Sequence, residues 1–171
     1  MAHPENIYLV GPMGAGKTTI GRQLASQLRK EFLDCDHELE KRTGADIPLI
    51  FELEGEDGFR KREAAMLDEL CEQRGVVLAT GGGVVKLPVN RANLVTYGYV
   101  VYLNPPIELL YQRTARDRNR PMLNSEDPYR RIRELVEERD PLYRQVADLV
   151  VETGRASLRF VVRDIIDRLP Q

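Results

Sequence analysis

Apolar residues in this chain follow two alternating patterns. Short continuous runs at Asn6–Val10, Val76–Thr80, Tyr99–Leu103 and Leu149–Val151 are mostly β-branched, aromatic or leucine, and read as buried strands. A weaker strand is predicted at Phe32–Asp34. Between these runs the apolar positions recur every three or four residues. Ile20, Leu24, Ala25 and Leu28 form such a stripe in Lys17–Leu28, and Ala64, Leu67, Leu70 and Cys71 form another in Arg60–Cys71. Ile107–Arg116, Tyr129–Val146 and Leu158–Leu169 are predicted as further helices. Strands and helices in this alternation predict an α/β fold, a parallel sheet covered by helices on both faces. Two polar stretches, Asp34–Gly58 and Arg116–Pro128, fit the layered pattern poorly and read as functional insertions. No repeat, low-complexity tract or linker divides the chain, so one domain over residues 1–171 is expected.

Composition narrows the function classes. Apolar residues make up 42% and charged residues 30%, an ordinary globular balance. A net charge of −2 gives no bulk attraction to nucleic acid or to an anionic membrane. No apolar run approaches the roughly 20 residues that span a bilayer. The opening MAHPENIYLVGP has neither the basic region nor the apolar core of a secretory signal. Cys35 and Cys71 lack CxxC spacing and read as small buried hydrophobes in a reducing cytoplasm. His37 has no partner suggested by spacing and reads as exposed. Nothing in the pattern demands a dimer, and a monomer is expected.

The first candidate chemistry lies directly after the run IYLV. Residues 11–18, GPMGAGKT, match G-x-x-x-x-G-K-[ST] at Gly11, Gly16, Lys17 and Thr18, with a strand before and a helix after. Glycines let backbone N–H groups turn inward around an anion, and the helix that follows points its positive end at the same place. Lys17 then reaches the outer phosphates of a nucleoside triphosphate, and Thr18 offers a hydroxyl to Mg²⁺. Gly14, Ala15, Gly16, Lys17, Thr18 and Thr19 are the loop residues assigned to the nucleotide.

The phosphoryl acceptor is read from four later segments. DCD places Asp34 and Asp36 at the carboxyl end of the short predicted strand. Residues two apart in a strand share a face, so both carboxylates are expected to point into one site. The plainer alternative is an acidic cap for the helix DHELEKR. In GFRKRE, Arg60 and Glu63 lie three apart on one helical face, as a pre-ordered fork for an anion or simply as a surface pair. ATGGG puts Gly81, Gly82 and Gly83 at a strand's end, where a ligand approaches backbone closely. RTARDRNRPML gathers Arg113, Arg116, Arg118 and Arg120 against one acid, Asp117, as a basic flap over phosphates would. No aromatic residue is interleaved there, which argues against a nucleic-acid patch. Arg139, in ERDPLY, reads by itself as a surface arginine near the end of a helix.

Taken in order, GPMGAGKT, DCD, GFRKRE, ATGGG, RPML and ERDPLY resemble the shikimate kinase family over essentially the whole chain. The resemblance implies a P-loop NTPase of the nucleoside-monophosphate-kinase-like three-layer kind, with a five-stranded parallel sheet and a mobile lid. It places the substrate-binding region at about 34–63 and the lid at about 113–126. It implies phosphoryl transfer from MgATP to the 3-hydroxyl of shikimate, in aromatic amino-acid biosynthesis. Lys17, Asp36 and Arg120 would be catalytic, with Asp36 as base and Arg120 as the lid arginine. Thr18 and Asp34 would serve the metal. Asp34, Asp36, Arg60, Gly82, Gly83 and Arg139 would bind shikimate, with Arg60 and Arg139 on its carboxylate. Arg113 would lie along adenine, while TGRASL, residues 153–158, lacks the proline some members carry there, and its contacts stay unassigned. Two alternatives remain open: another P-loop small-molecule kinase, such as one for gluconate or a nucleotide, and a non-catalytic nucleotide-binding regulator.

Overall fold

The computed structural model describes residues 3–115 and 126–171. Five strands, β1 (Ile7–Val10), β2 (Glu31–Asp34), β3 (Val76–Ala79), β4 (Tyr99–Leu103) and β5 (Leu149–Val151), form one sheet. Every neighbouring pair is parallel, and the order is β2-β3-β1-β4-β5. The three central strands are buried almost throughout, whereas the edge strands β2 and β5 are only partly covered, which explains the weaker signal at β2.

Alternate strand residues face two separate cores. Tyr8, Val10, Leu78, Val100 and Tyr102 pack on one side against α2 (Cys35–Thr43), α3 (Ile47–Leu70), α4 (Pro88–Tyr97) and α6 (Pro128–Val146). Ile7, Leu9, Val77, Val101 and Leu103 pack on the other against α1 (Lys17–Leu28), α5 (Ile107–Thr114) and α7 (Leu158–Arg168). Burying each large apolar side chain contributes about 1.5–3 kcal/mol, so this doubly covered sheet is the rigid frame of the molecule. Asn6, 8% exposed, anchors its base. It donates to the carbonyls of Gln73 and Tyr97 and accepts from the amides of Gly75 and Val76.

Two differences from the sequence expectation concern helices. The stretch Asp34–Gly58 is largely helical, comprising α2 and the first half of α3. Asp46 caps α3 by accepting from the Leu49 amide, and the helix breaks at Gly55 (φ 72°, ψ −177°) before continuing through Arg60. These segments hide few apolar residues: α2 buries Cys35 and Leu39, and the first half of α3 buries Ile50 alone. Helix α4 was not expected at all, because only Asn90 and Leu94 of its ten residues are buried. No helix among the described residues is long and apolar enough to cross a membrane.

The sheet order carries a functional consequence. The chain leaves β1 toward β2 on one side and later leaves β3 toward β4 on the other. The crevice at the carboxyl ends of β1 and β3 is therefore the switch point where open α/β sheets bind ligands. The glycine loop follows β1 and the triple glycine follows β3. Thr80 ties the two exits together, its hydroxyl donating to the Leu9 carbonyl at 2.8 Å.

Candidate active site

After β1 the backbone turns through left-handed conformations at Gly14 (φ 83°) and Gly16 (φ 94°). Space also excludes a side chain, since a Cβ at Gly14 would sit 2.9 Å from the Thr114 methyl carbon. Gly16 caps α1 without any side-chain hydrogen bond, leaving the first amides of that helix directed at the loop. Lys17 is buried, and its ammonium donates to the carbonyls of Gly11 (2.6 Å) and Pro12 (2.9 Å). Arg113 reaches down from α5 and donates to the Gly14 carbonyl at 2.9 Å. Its guanidinium thus lies against the phosphate loop. Thr18 and Thr19 are exposed on the same cleft wall.

The two aspartates do not share a strand face. Asp34 ends β2 and caps α2, accepting from the His37 amide at 3.1 Å, while Asp36 lies in the first turn of α2. The expectation of a common strand face fails because the chain turns helical at Cys35. The capping alternative holds for Asp34, and it leaves the second oxygen for other work: Asp34 Oδ2 accepts from the Thr18 hydroxyl at 2.8 Å. The cap and the phosphate loop are thereby joined. Cys35, between the two aspartates, is buried, and burial together with the charges of Asp36, Glu63 and Asp34 pushes its thiol well up. Both cysteines are buried free thiols, as expected, and His37 is exposed at the cleft rim.

Opposite the phosphate loop, Arg60 is 7% exposed and Glu63 only 1%, so their pair is not a surface one. Arg60 Nη1 donates to Glu63 Oε1 at 2.9 Å. Burial pushes the Glu63 carboxyl up, against the opposing charges of Arg60 and Arg139. Each of the three glycines is pressed by one of these groups. A Cβ at Gly81 would lie 2.8 Å from Glu63 Oε2 and 3.1 Å from Asp36 Oδ1. One at Gly82 would meet Met13 at 3.3 Å and Arg139 Nη1 at 3.6 Å, and one at Gly83 would collide with the Arg60 guanidinium. The glycines admit side chains of the site as much as they admit a ligand.

Arg139 is not a surface residue. It is 3% exposed on α6, and its Nε and Nη2 have no hydrogen-bond partner among the described residues. It borders a small recess with Pro12, Met13 and Tyr143, and Met13 lines the main cleft as well. Tyr143 donates its hydroxyl to the Gly82 carbonyl, and burial pushes that hydroxyl up to about 12 despite the opposing charge of Arg139.

One cleft of about 680 Å³ unites these parts. The phosphate loop, Asp34, Asp36, Arg60, Glu63, Gly81–Gly83 and Arg113 all line it, and Thr153, Ala156, Leu158 and Val161 extend it beyond the loop. Arg120 and most of the expected lid lie outside the described residues. The sequence reading missed Met13, Thr153 and Tyr143, which line the cleft or its recess, and Glu56 and Lys86, which extend the ion pairs of Arg60 (Glu56 3.3 Å from Arg60, Lys86 2.9 Å from Glu56). Glu56, four residues before Arg60, and Tyr143, four after Arg139, left a spacing signal that would have found them.

Comparison with known proteins gives the family. The profile of the shikimate kinase family matches residues 13–170. Shikimate kinase of Thioalkalivibrio sulfidiphilus is 59% identical over 165 residues, covering 96% of this chain and 87% of its own. That of Acinetobacter baylyi is 60% identical over 161 residues, covering 94% and 89%. The structure of shikimate kinase from Acinetobacter baumannii in complex with shikimate superposes with a TM-score of 0.94 at 55% identity, covering 95% of this chain and 91% of that one. With a phosphate loop, an acidic helix cap and a buried arginine fork in one cleft, this chain belongs to the shikimate kinase family.

Proposed function

We propose that this chain transfers the γ-phosphoryl group of ATP to the 3-hydroxyl of shikimate, giving shikimate 3-phosphate and ADP on the way to chorismate and the aromatic amino acids. The observation that carries this reading is the single cleft, with a triphosphate cradle at one end and two buried arginines at or beside the other. A polyol with one carboxylate needs a cationic grip away from the reacting centre and an acid beside the reacting hydroxyl. Arg60 and Arg139 supply the grip, with Gly82 and Gly83 bringing backbone close. The unpartnered N–H groups of Arg139 suit a carboxylate ligand.

Asp36 is the proposed base. As the γ-phosphorus to β,γ-bridging-oxygen bond breaks and the bond to the substrate oxygen forms, the hydroxyl proton passes to Asp36. The transition state is loose, so positioning and charge compensation carry most of the rate. Lys17 then leaves the carbonyls of its own loop for the phosphates. Arg113 serves the nucleotide from α5, and Arg120, by its place in the motif, serves the transferring group.

The donor set fits Mg²⁺. Thr18 and Asp34 present hard oxygens beside the phosphate loop, and the described residues contain no group of three or more His, Cys, Asp and Glu side chains that would hold a metal. Mg²⁺ takes one or two protein oxygens and completes its shell with phosphate and water. When bound it neutralises charge on the phosphates. Two buried thiols suit a reducing cytoplasm, where we place the chain as a monomer.

Coupled ADP release with a panel of acceptors tests the function. Turnover with shikimate supports it. Turnover only with gluconate or a nucleoside monophosphate points to another small-molecule kinase, and ATP binding without acceptor-dependent turnover points to a regulator.

A further inference from the structure

The Arg60 guanidinium touches two carboxylates, and they are held very differently. Glu63 is 1% exposed, sits three residues on along the continuous part of α3, and binds Nη1 at 2.9 Å. Glu56 meets the opposite edge, the Nε/Nη2 fork that would grip a carboxylate bidentately. Its Oε2 lies 3.4 Å from Nε and 3.3 Å from Nη2, longer than the roughly 2.7–2.9 Å of a strong charge-assisted bond. The same oxygen lies 2.9 Å from Lys86 Nζ. Burial raises the Glu56 carboxyl, but Lys86 and Arg60 outweigh it and hold the group below the usual range, so Glu56 is anionic at neutral pH. Glu56 also directly follows Gly55, where the helix breaks at a positive φ and no atom lies within 4 Å of a built Cβ. The Glu56 side chain is 34% exposed against 2% for Glu63, so packing does not fix this carboxylate as it fixes Glu63.

We infer that Glu56 is an internal competitor for the acceptor's carboxylate at Arg60, and that Lys86 sets how strongly it competes. A carboxylate arriving at the Nε/Nη2 fork displaces Glu56 or bears its like charge at close range, and either way Glu56 weakens binding. Lys86 shares the Glu56 oxygen and draws it off the fork. A neutral acceptor of the same shape gains nothing from Arg60 and is indifferent to Glu56.

This rests on the proposal that Arg60 binds the shikimate carboxylate, and calorimetry of shikimate binding separates the two. Glu56→Gln is expected to lower the Kd for shikimate roughly three- to tenfold. Binding of shikimate methyl ester should be unmoved. Glu56→Ala should act in the same direction. Lys86→Met should raise the Kd for shikimate, and should do so much less in the Glu56→Gln background, because its effect acts through Glu56. A Glu56→Gln protein that binds shikimate no better than the parent, or more weakly, overturns the inference, since a residue that merely positions Arg60 would give that sign. Arg60→Ala supplies the control. If it leaves the Kd unchanged, the carboxylate assignment itself fails; if it weakens binding while Glu56→Gln does not strengthen it, only the competitor fails.

Discussion

A buried guanidinium with unpaired N–H groups is costly, at about 1–3 kcal/mol for each unsatisfied group. Arg139 carries that cost beside the cleft, at 3% exposure with Nε and Nη2 unpartnered among the described residues. Selection for stability alone would place an apolar residue there. Arg139→Met is therefore expected to stabilise by about 1–4 kcal/mol and raise Tm by about 2–16 °C in thermal melts, at about 2–4 °C per kcal/mol for a chain of this size. The same change should raise the Kd for shikimate by roughly ten- to a hundredfold, the worth of charge-assisted bonds to a carboxylate. A variant that loses stability and keeps its affinity would make Arg139 a structural residue. Asp36 makes a different demand. Asp36→Asn keeps shape and removes the basic oxygen, so kcat should fall by roughly 10²–10⁴ while ATP affinity measured by titration holds. Retained full activity would remove Asp36 from the mechanism.

At the scale of elements, local signals explain what the sequence disclosed. A strand, a glycine loop and a helix in direct succession are short-range features, so GPMGAGKT announced its conformation and, with it, the phosphate-binding role proposed for it. Helix α4 gave no such notice: with two buried residues in ten it has hardly any apolar stripe, and its place depends on the neighbours it packs against. Arg139 misled for a related reason, because the Gly82 and Met13 that bury it lie far away in sequence. Asp34 shows how the capping reading holds while leaving room for the other, since it caps α2 with one oxygen and meets Thr18 with the second. That division is testable. Asp34→Ala should cost about 1 kcal/mol in urea melts, the worth of a helix cap. Asp34→Asn should restore most of that stability, because asparagine caps as well as aspartate, yet should still need more Mg²⁺ for half-maximal turnover. Equal Mg²⁺ dependence in Asp34→Asn and the parent would confine Asp34 to capping.

Across the whole molecule, the parallel order β2-β3-β1-β4-β5 brings the loops after β1 and β3 to the same crevice, and everything chemical follows from that adjacency. On the proposed function, the nucleotide end is built on the amino end of α1, and the acceptor end on α2, α3 and the triple glycine. The two ends rest on different helices around one frame, so each ligand should bind alone and stabilise the fold by its own mass action. At a hundredfold excess over its Kd, shikimate without nucleotide is expected to add about 2.7 kcal/mol. For a chain of this size that is a rise in Tm of about 5–10 °C. Gluconate, also a carboxylate polyol, should give no comparable shift at the same concentration, because the row Gly81–Gly83 and the fixed Arg60–Glu63 pair leave a site of one shape rather than a general anion trap. Equal shifts from both acids would mean that charge alone is read, and the acceptor would have to be sought again among carboxylate polyols. A shift that appears only with nucleotide present would mean instead that the acceptor end is completed by the nucleotide rather than by the frame.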